Sequence, residues 1–342
     1  MLLPTNPARS RKPAPRGYRC GCTIPALVLG TAMMMAGLRA APAAELLYVP
    51  VPSVNAVYTY DISLASGTAV QNSQQAFATQ NLDGPTGIAF DAAGNAYISN
   101  QGTDSISKFS PQASLLATIG SSATLLAPFG LAIDSQGTLY VANYGSGTPP
   151  QNSVSTFDAS GGFVSAITNQ VNRPVGLAVD GSDRLYAGNW FQDTVSRFAA
   201  DGTFQATIGP TGISGPGGLA IDSSGRLLVA NANANTVSLF DAGGGLLATI
   251  GASAGLVAPS GLAFDSAGNL YVSSGTGSTD SLISKFDSAG VFQFSWTTPD
   301  VSAFLATQPV PEPSTVVLTL AACGSLAAFR RWRGRKAAGR TA

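Results

Sequence analysis

The chain repeats one phrase five times. It reads GPTGIAFD at Gly84–Asp91, then APFGLAID (Ala127–Asp134), RPVGLAVD (Arg173–Asp180), GPGGLAID (Gly215–Asp222) and APSGLAFD (Ala258–Asp265). The closing aspartates stand 43, 46, 42 and 43 residues apart. Repeats of about 40–50 residues mark propeller blades or solenoid units, because one unit cannot bury its apolar face alone. In Gly215–Gly251 the runs Gly218–Ile221, Arg226–Ala230, Thr236–Phe240 and Leu246–Ile250 are each of strand length. Turn chemistry separates them (Asp222-Ser223-Ser224-Gly225, then Asp241–Gly245), and no window keeps a helical period. Four short antiparallel strands per repeat is a propeller blade. A helical solenoid would need two helices where this unit has none.

Each phrase carries a glycine (Gly87, Gly130, Gly176, Gly218, Gly261) followed two places on by Ala. Innermost strands converge on the axis, where small residues permit close approach. The recurring Asp reads as a turn residue rather than a cation ligand. Sheet-to-sheet packing is expected from Ile88, Phe90, Leu139, Leu177, Phe198, Leu219, Phe240 and Phe286.

Extended over the following strand, the copies read GPTGIAFDAAGNAYISN, APFGLAIDSQGTLYVAN, RPVGLAVDGSDRLYAGN, GPGGLAIDSSGRLLVAN and APSGLAFDSAGNLYVSS. This pattern resembles the NHL repeat across roughly Gly84–Trp296. It departs at Asp183, which replaces the turn glycine, and at Ser274, which replaces Asn.

Before the repeats, Leu47-Tyr48-Val49 parallels Leu139-Tyr140-Val141, and Tyr58–Asp61 parallels Ser238–Asp241, with Thr68–Ala78 as a fourth strand. The first strand is missing there, and Pro299–Leu305 echoes Pro259–Asp265. Ser302–Ala306 is therefore expected to supply it, closing a six-bladed all-β ring of residues 44–308 and leaving no open edge strand between first and last blades. Seven blades is the alternative.

Residues 1–43 read as a signal peptide. Arg9, Arg11, Lys12, Arg16 and Arg19 precede an uncharged run, Thr23–Leu38, and small residues allow cleavage after Ala43 or after Ala44. A retained anchor is the other reading, but the run is shorter than the roughly 20 residues of a spanning helix. In residues 309–342, Val310-Pro311-Glu312-Pro313 leads into the apolar Thr315–Phe329 and the cluster Arg330–Lys336. Basic residues beyond an apolar segment favour the cytoplasmic side. The three parts in this order resemble a PEP-CTERM sorting signal; an ordinary C-terminal anchor is the alternative. The resemblance implies processing by an exosortase, transient inner-membrane anchoring facing the periplasm, and delivery to the surface or exterior of a Gram-negative bacterium that makes exopolysaccharide.

Between Glu45 and Glu312, 18 acids face six bases, a net −12, although the whole chain is neutral. So acidic a domain repels nucleic acid and anionic lipid. All three cysteines (Cys20, Cys22, Cys323) lie outside residues 44–308, and the chain has no histidine. That removes a Ser-His-Asp relay, thiol chemistry and His-ligated zinc. NHL-like propeller enzymes such as the amidating and streptogramin lyases rely on histidine, so the resemblance carries no activity. The expected function is a non-catalytic surface or matrix protein without cofactor, associated with exopolysaccharide or another envelope partner. The alternative is an envelope lyase- or lactonase-like enzyme with an axial metal.

Propellers bind mostly on the face bearing the loops between second and third strands. Here Tyr144, Trp190 and Phe191, with Asn231 and Asn233, offer ring faces and amides suited to sugars. Capping of blade interfaces is the structural alternative for the rings. Cation binding by Asp104, Asp193 and Asp280 is a further reading, although the spacing of a calcium loop is absent.

Overall fold

The computed structural model describes residues 44–144, 152–251, 254–275, 281–299 and 304–308. The chain divides into two units, Met1–Ala43 and Ala44–Ala342, and all described residues belong to the second. The leader, the PEP segment, the apolar run Thr315–Phe329 and Asp280 lie outside them. Among the described residues no helix is long and apolar enough to cross a membrane.

The described residues form six four-stranded antiparallel sheets. Blade 3 runs inner to outer as Pro174–Val179, Leu185–Asn189, Thr194–Phe198 and Phe204–Ile208. Blades 1, 2, 4 and 5 repeat this plan from inner strands Pro85–Phe90, Pro128–Ile133, Pro216–Ile221 and Gly261–Phe264. The sixth sheet holds Leu46–Val51, Ala56–Asp61 and Gln75–Ala78, with Ala306–Thr307 as its inner strand. The two ends of the domain thus share one blade.

The closing strand lies further along than the sequence echo suggests. Tyr48 pairs with Ala306 as Tyr271 pairs with Ala263, so Leu305-Ala306 matches Leu262-Ala263. Register follows the cross-strand partner, and the expected Ser302–Ala306 placement is shifted accordingly. Ring closure is hydrogen-bonded on both sides: Thr307 Oγ1 donates to the Phe264 carbonyl (2.6 Å) and Phe304 N to the Thr86 carbonyl (2.8 Å). Glu45 adds a further tie, accepting from Ser266 N (2.6 Å) and Ser266 Oγ (3.0 Å).

The segment expected as one strand, Thr68–Ala78, instead contains a short helix, α1 (Gly67–Asn72), before its strand. Ser66 caps it by accepting from Ala69 N, and Val70 is buried between blade 5 and the closing blade. A Cβ on Gly67 would lie 2.4 Å from the Ser295 carbonyl oxygen, so glycine lets the helix seat against blade 5.

Among the described residues there is no single central core. Six apolar clusters each join one blade to the next; Tyr140, Ala142 and Val154 of blade 2, for example, meet Leu177, Ala187 and Phe198 of blade 3. Seven of the eight core residues named from the sequence are buried, and Phe90 is half-buried against Tyr48. Near the axis a Cβ on Gly87, Gly130, Gly176 or Gly218 would approach within 2.1–2.5 Å of the next blade's carbonyl oxygen. Gly176→Ala is therefore expected to cost about 1–3 kcal/mol or more. Gly181→Ala, which meets nothing within 4 Å, should stay within about 0.5 kcal/mol of the parent. Paired thermal melts check this, and equal midpoints would refute the close-approach account.

Candidate ligand face

Two polar devices recur, one at each end of the blades. At the first, the phrase-ending Asp closes its turn: Asp180 Oδ1 accepts from Ser182 N (2.9 Å) and Arg184 N (3.1 Å). Its Oδ2 accepts from Arg184 Nε (2.7 Å) and Tyr186 Oη (3.1 Å). Asp91, Asp134 and Asp265 likewise take the tyrosine six places on, while Asp222, with Leu228 in the tyrosine's place, holds Arg226. Gln308 does the same work in the closing blade, accepting from Tyr48 Oη at 2.7 Å. Asp183, which replaces a turn glycine, adopts φ 57° and bonds Ser135 of blade 2 through both oxygens. The aspartates read as turn formers are turn formers.

Burial and the Asp134 carboxylate push Tyr140 up to about 12. Burial opposes ionisation of Asp91 and Asp180 as well. Hydrogen bonds from Asn95 and the nearby Lys108 on the first, and from Ser182, Arg184 and Tyr186 on the second, outweigh it and hold both below the ordinary carboxylate value. Folded values below unfolded ones stabilise the protein above the unfolded pKa, about 4, and that stabilisation fades as pH falls through the folded values. The melting midpoint should therefore drop on acidification below about pH 4. A midpoint constant down to about pH 2 would remove these turns from the stabilising contacts.

At the opposite end, each of the first four repeats turns an asparagine inward. Asn231 is buried; its Oδ1 accepts from Ser214 N (3.1 Å) and its Nδ2 donates to Ser238 Oγ (2.8 Å), Thr236 Oγ1 and the Gly212 carbonyl (both 3.2 Å). Asn100, Asn143 and Asn189 repeat the pattern. Asn231 is thus withdrawn from the ligand face, because an unpaired buried amide would be costly while this one is satisfied. Asn231→Ala is expected to lower unfolding stability by about 1–3 kcal/mol in denaturant titrations. A neutral effect would contradict this role.

Asp104 and Asp193, considered as cation ligands, are blade-to-blade ties. With φ near 50°, each accepts from the backbone N–H that opens the next blade's phrase: Asp104 from Ala127 (2.8 Å), Asp193 from Gly215 (2.6 Å). Asn55, Asn152 and Asn235 make the equivalent bond. Among the described residues no three His, Cys, Asp or Glu side chains gather to a metal-sized cluster. Two grooves, of about 560 Å³ along blades 2 and 3 and about 520 Å³ along blades 4 and 5, contain none of the loop-face residues named from the sequence.

Because the recurring polar side chains hold the scaffold, the residue after each inward asparagine is free to vary: Gln101, Tyr144, Trp190, Ala232. Its backbone N–H donates to the carbonyl of the residue opening the phrase, as Tyr144 does to Ala127 (3.2 Å) and Trp190 to Arg173 (3.4 Å). Tyr144 and Phe191 are brought together, and Arg173 joins them. Its guanidinium carbon lies 5.6 Å from the Tyr144 ring centroid and 4.1 Å from that of Phe191. Phe129 packs against Tyr144 in a tilted pair, with ring centroids 5.2 Å apart. Phe191 is 61% exposed, Trp190 is half-buried, and Asn233 is exposed on blade 4. Sequence reading missed Arg173; the available signal was arginine where the other four copies open with Gly or Ala.

No family model matches the chain, and no curated protein does either. Solved structures do, at the level of fold. A chain of a nidogen/laminin complex is 18% identical with a TM-score of 0.65, covering 78% of this chain and 99% of that one. A protein of unknown function from Bacteroides caccae gives 13% identity and a TM-score of 0.60 over 78% and 100%. A streptogramin B lyase gives 16% and 0.52 over 67% and 70%. At identities of 13–18%, these likenesses bear on the fold alone.

Proposed function

We propose that the protein is an exported, non-catalytic propeller of NHL type that works as a rigid binding disc in the cell envelope or extracellular matrix. Its loop face engages exopolysaccharide or another envelope partner. The observation that carries this reading is the division of labour among side chains. The aspartates that recur once per blade are committed to turns, whereas the variable positions on the loop face bear Tyr144, Trp190 and Phe191. Lyases are among the similar folds, but without histidine no lyase base carries over, and two of the acidic loops are occupied as blade ties.

Export by residues 1–43 and exosortase sorting through Val310–Pro313 complete the proposal, supported by the tripartite order of the tail and the basic leader. Deleting Val310–Ala342 in a bacterium that carries an exosortase should move the protein from the surface or medium to another fraction while its melting midpoint is unchanged. Fractionation identical to that of the intact chain refutes sorting by this tail.

A further inference from the structure

We propose that Arg173, whose guanidinium lies against the rings of Tyr144 and Phe191, is the anion-recognising residue of a saccharide subsite whose ligand is a carboxylated sugar, a uronate-type unit. The inference deepens the binding-disc reading and rests on it. The six cations between Glu45 and Glu312 are not used alike. Lys108, Arg184, Arg226 and Lys285 face aspartates at 2.6–3.9 Å, and Arg197 donates through Nη1 to the Ala242 carbonyl at 2.7 Å. Among the described residues no ion pair engages Arg173, whose guanidinium lies instead against the rings of Tyr144 and Phe191. Ring contact engages the cation without satisfying its N–H fork, and that fork matches a carboxylate in two parallel hydrogen bonds.

The mounting is rigid. Arg173 N donates to Asn152 Oδ1 at 2.6 Å, its carbonyl accepts from Trp190 N at 3.4 Å, and φ is 49°. Phe129, Tyr144, Arg173 and Phe191 form a row in the sense that each contacts the next across blades 2 and 3. Apolar sugar faces stack on such rings, so a ring-borne carboxylate matches the row better than an extended acidic peptide. The net −12 between Glu45 and Glu312 works against a polyanion at long range, but screening cuts that repulsion beyond about 8 Å at physiological salt. Recognition is thus a contact effect, and raising salt from about 10 to about 150 mM should not weaken it as it weakens steered binding.

Titration calorimetry of the purified full-length chain with oligogalacturonate, a neutral gluco-oligosaccharide of equal length, and polyglutamate tests the assignment. Oligogalacturonate is expected to bind about tenfold or more tighter than the neutral sugar, and Arg173→Gln and Phe191→Ala should each erase that preference with melting midpoints preserved. Arg173→Gln binding oligogalacturonate as the parent does, or polyglutamate binding as tightly, overturns the subsite. If both sugars bind alike and neither variant matters, this inference fails while the binding-disc reading stands. If neither sugar binds, the subsite fails together with the exopolysaccharide half of that reading.

Discussion

The molecule depends on how closely backbones approach at its axis. Six inner strands share one small circle, and at Gly87, Gly130, Gly176 and Gly218 the next blade's carbonyl oxygen occupies the place of a side chain. The outer strands diverge, and the wedges between blades fill with rings and branched chains, Phe157, Phe198, Phe240 and Phe286 among them. Small at the centre and bulky outside is the taper that a ring of twisted sheets demands. Each wedge is a separate two-sheet core, so burial is distributed around the ring and the shared blade must close it.

Polar residues hold the two faces. On one, an aspartate closes each turn and catches the tyrosine or arginine beside it; on the other, an asparagine gathers two hydroxyls and a backbone N–H beneath the loop. Ties such as Gly215 N to Asp193 join successive blades. Because these groups satisfy one another, the loop face can vary at Gln101, Tyr144, Trp190 and Ala232 without loosening the scaffold. The proposed binding disc would thereby keep recognition and stability on different residues. The placement of Arg173 follows from this separation: its backbone belongs to the scaffold and its guanidinium to the face.

Blade count, four-strand units, the turn role of the aspartates and the sharing of one blade by both ends were legible in the sequence, because each follows from local pattern repeated at a fixed period. What depended on contacts between distant segments was not. The helix Gly67–Asn72 exists where Val70 and Gly67 find a niche against blade 5, and the closing register was set by Tyr48 meeting Ala306 rather than by the resemblance of two phrases. Asn231 sits in a loop by sequence, yet faces inward because Ser238 and Ser214 wait for it. Arg173 opens a phrase whose glycine and aspartate do structural work, and only the ring geometry brings both Tyr144 of blade 2 and Phe191 of blade 3 to its guanidinium. Periodicity determines the repeated unit, since strands and turns answer to neighbours in the chain; the tertiary structure decided which of its variations share a surface, since that is a matter of where the circle places them.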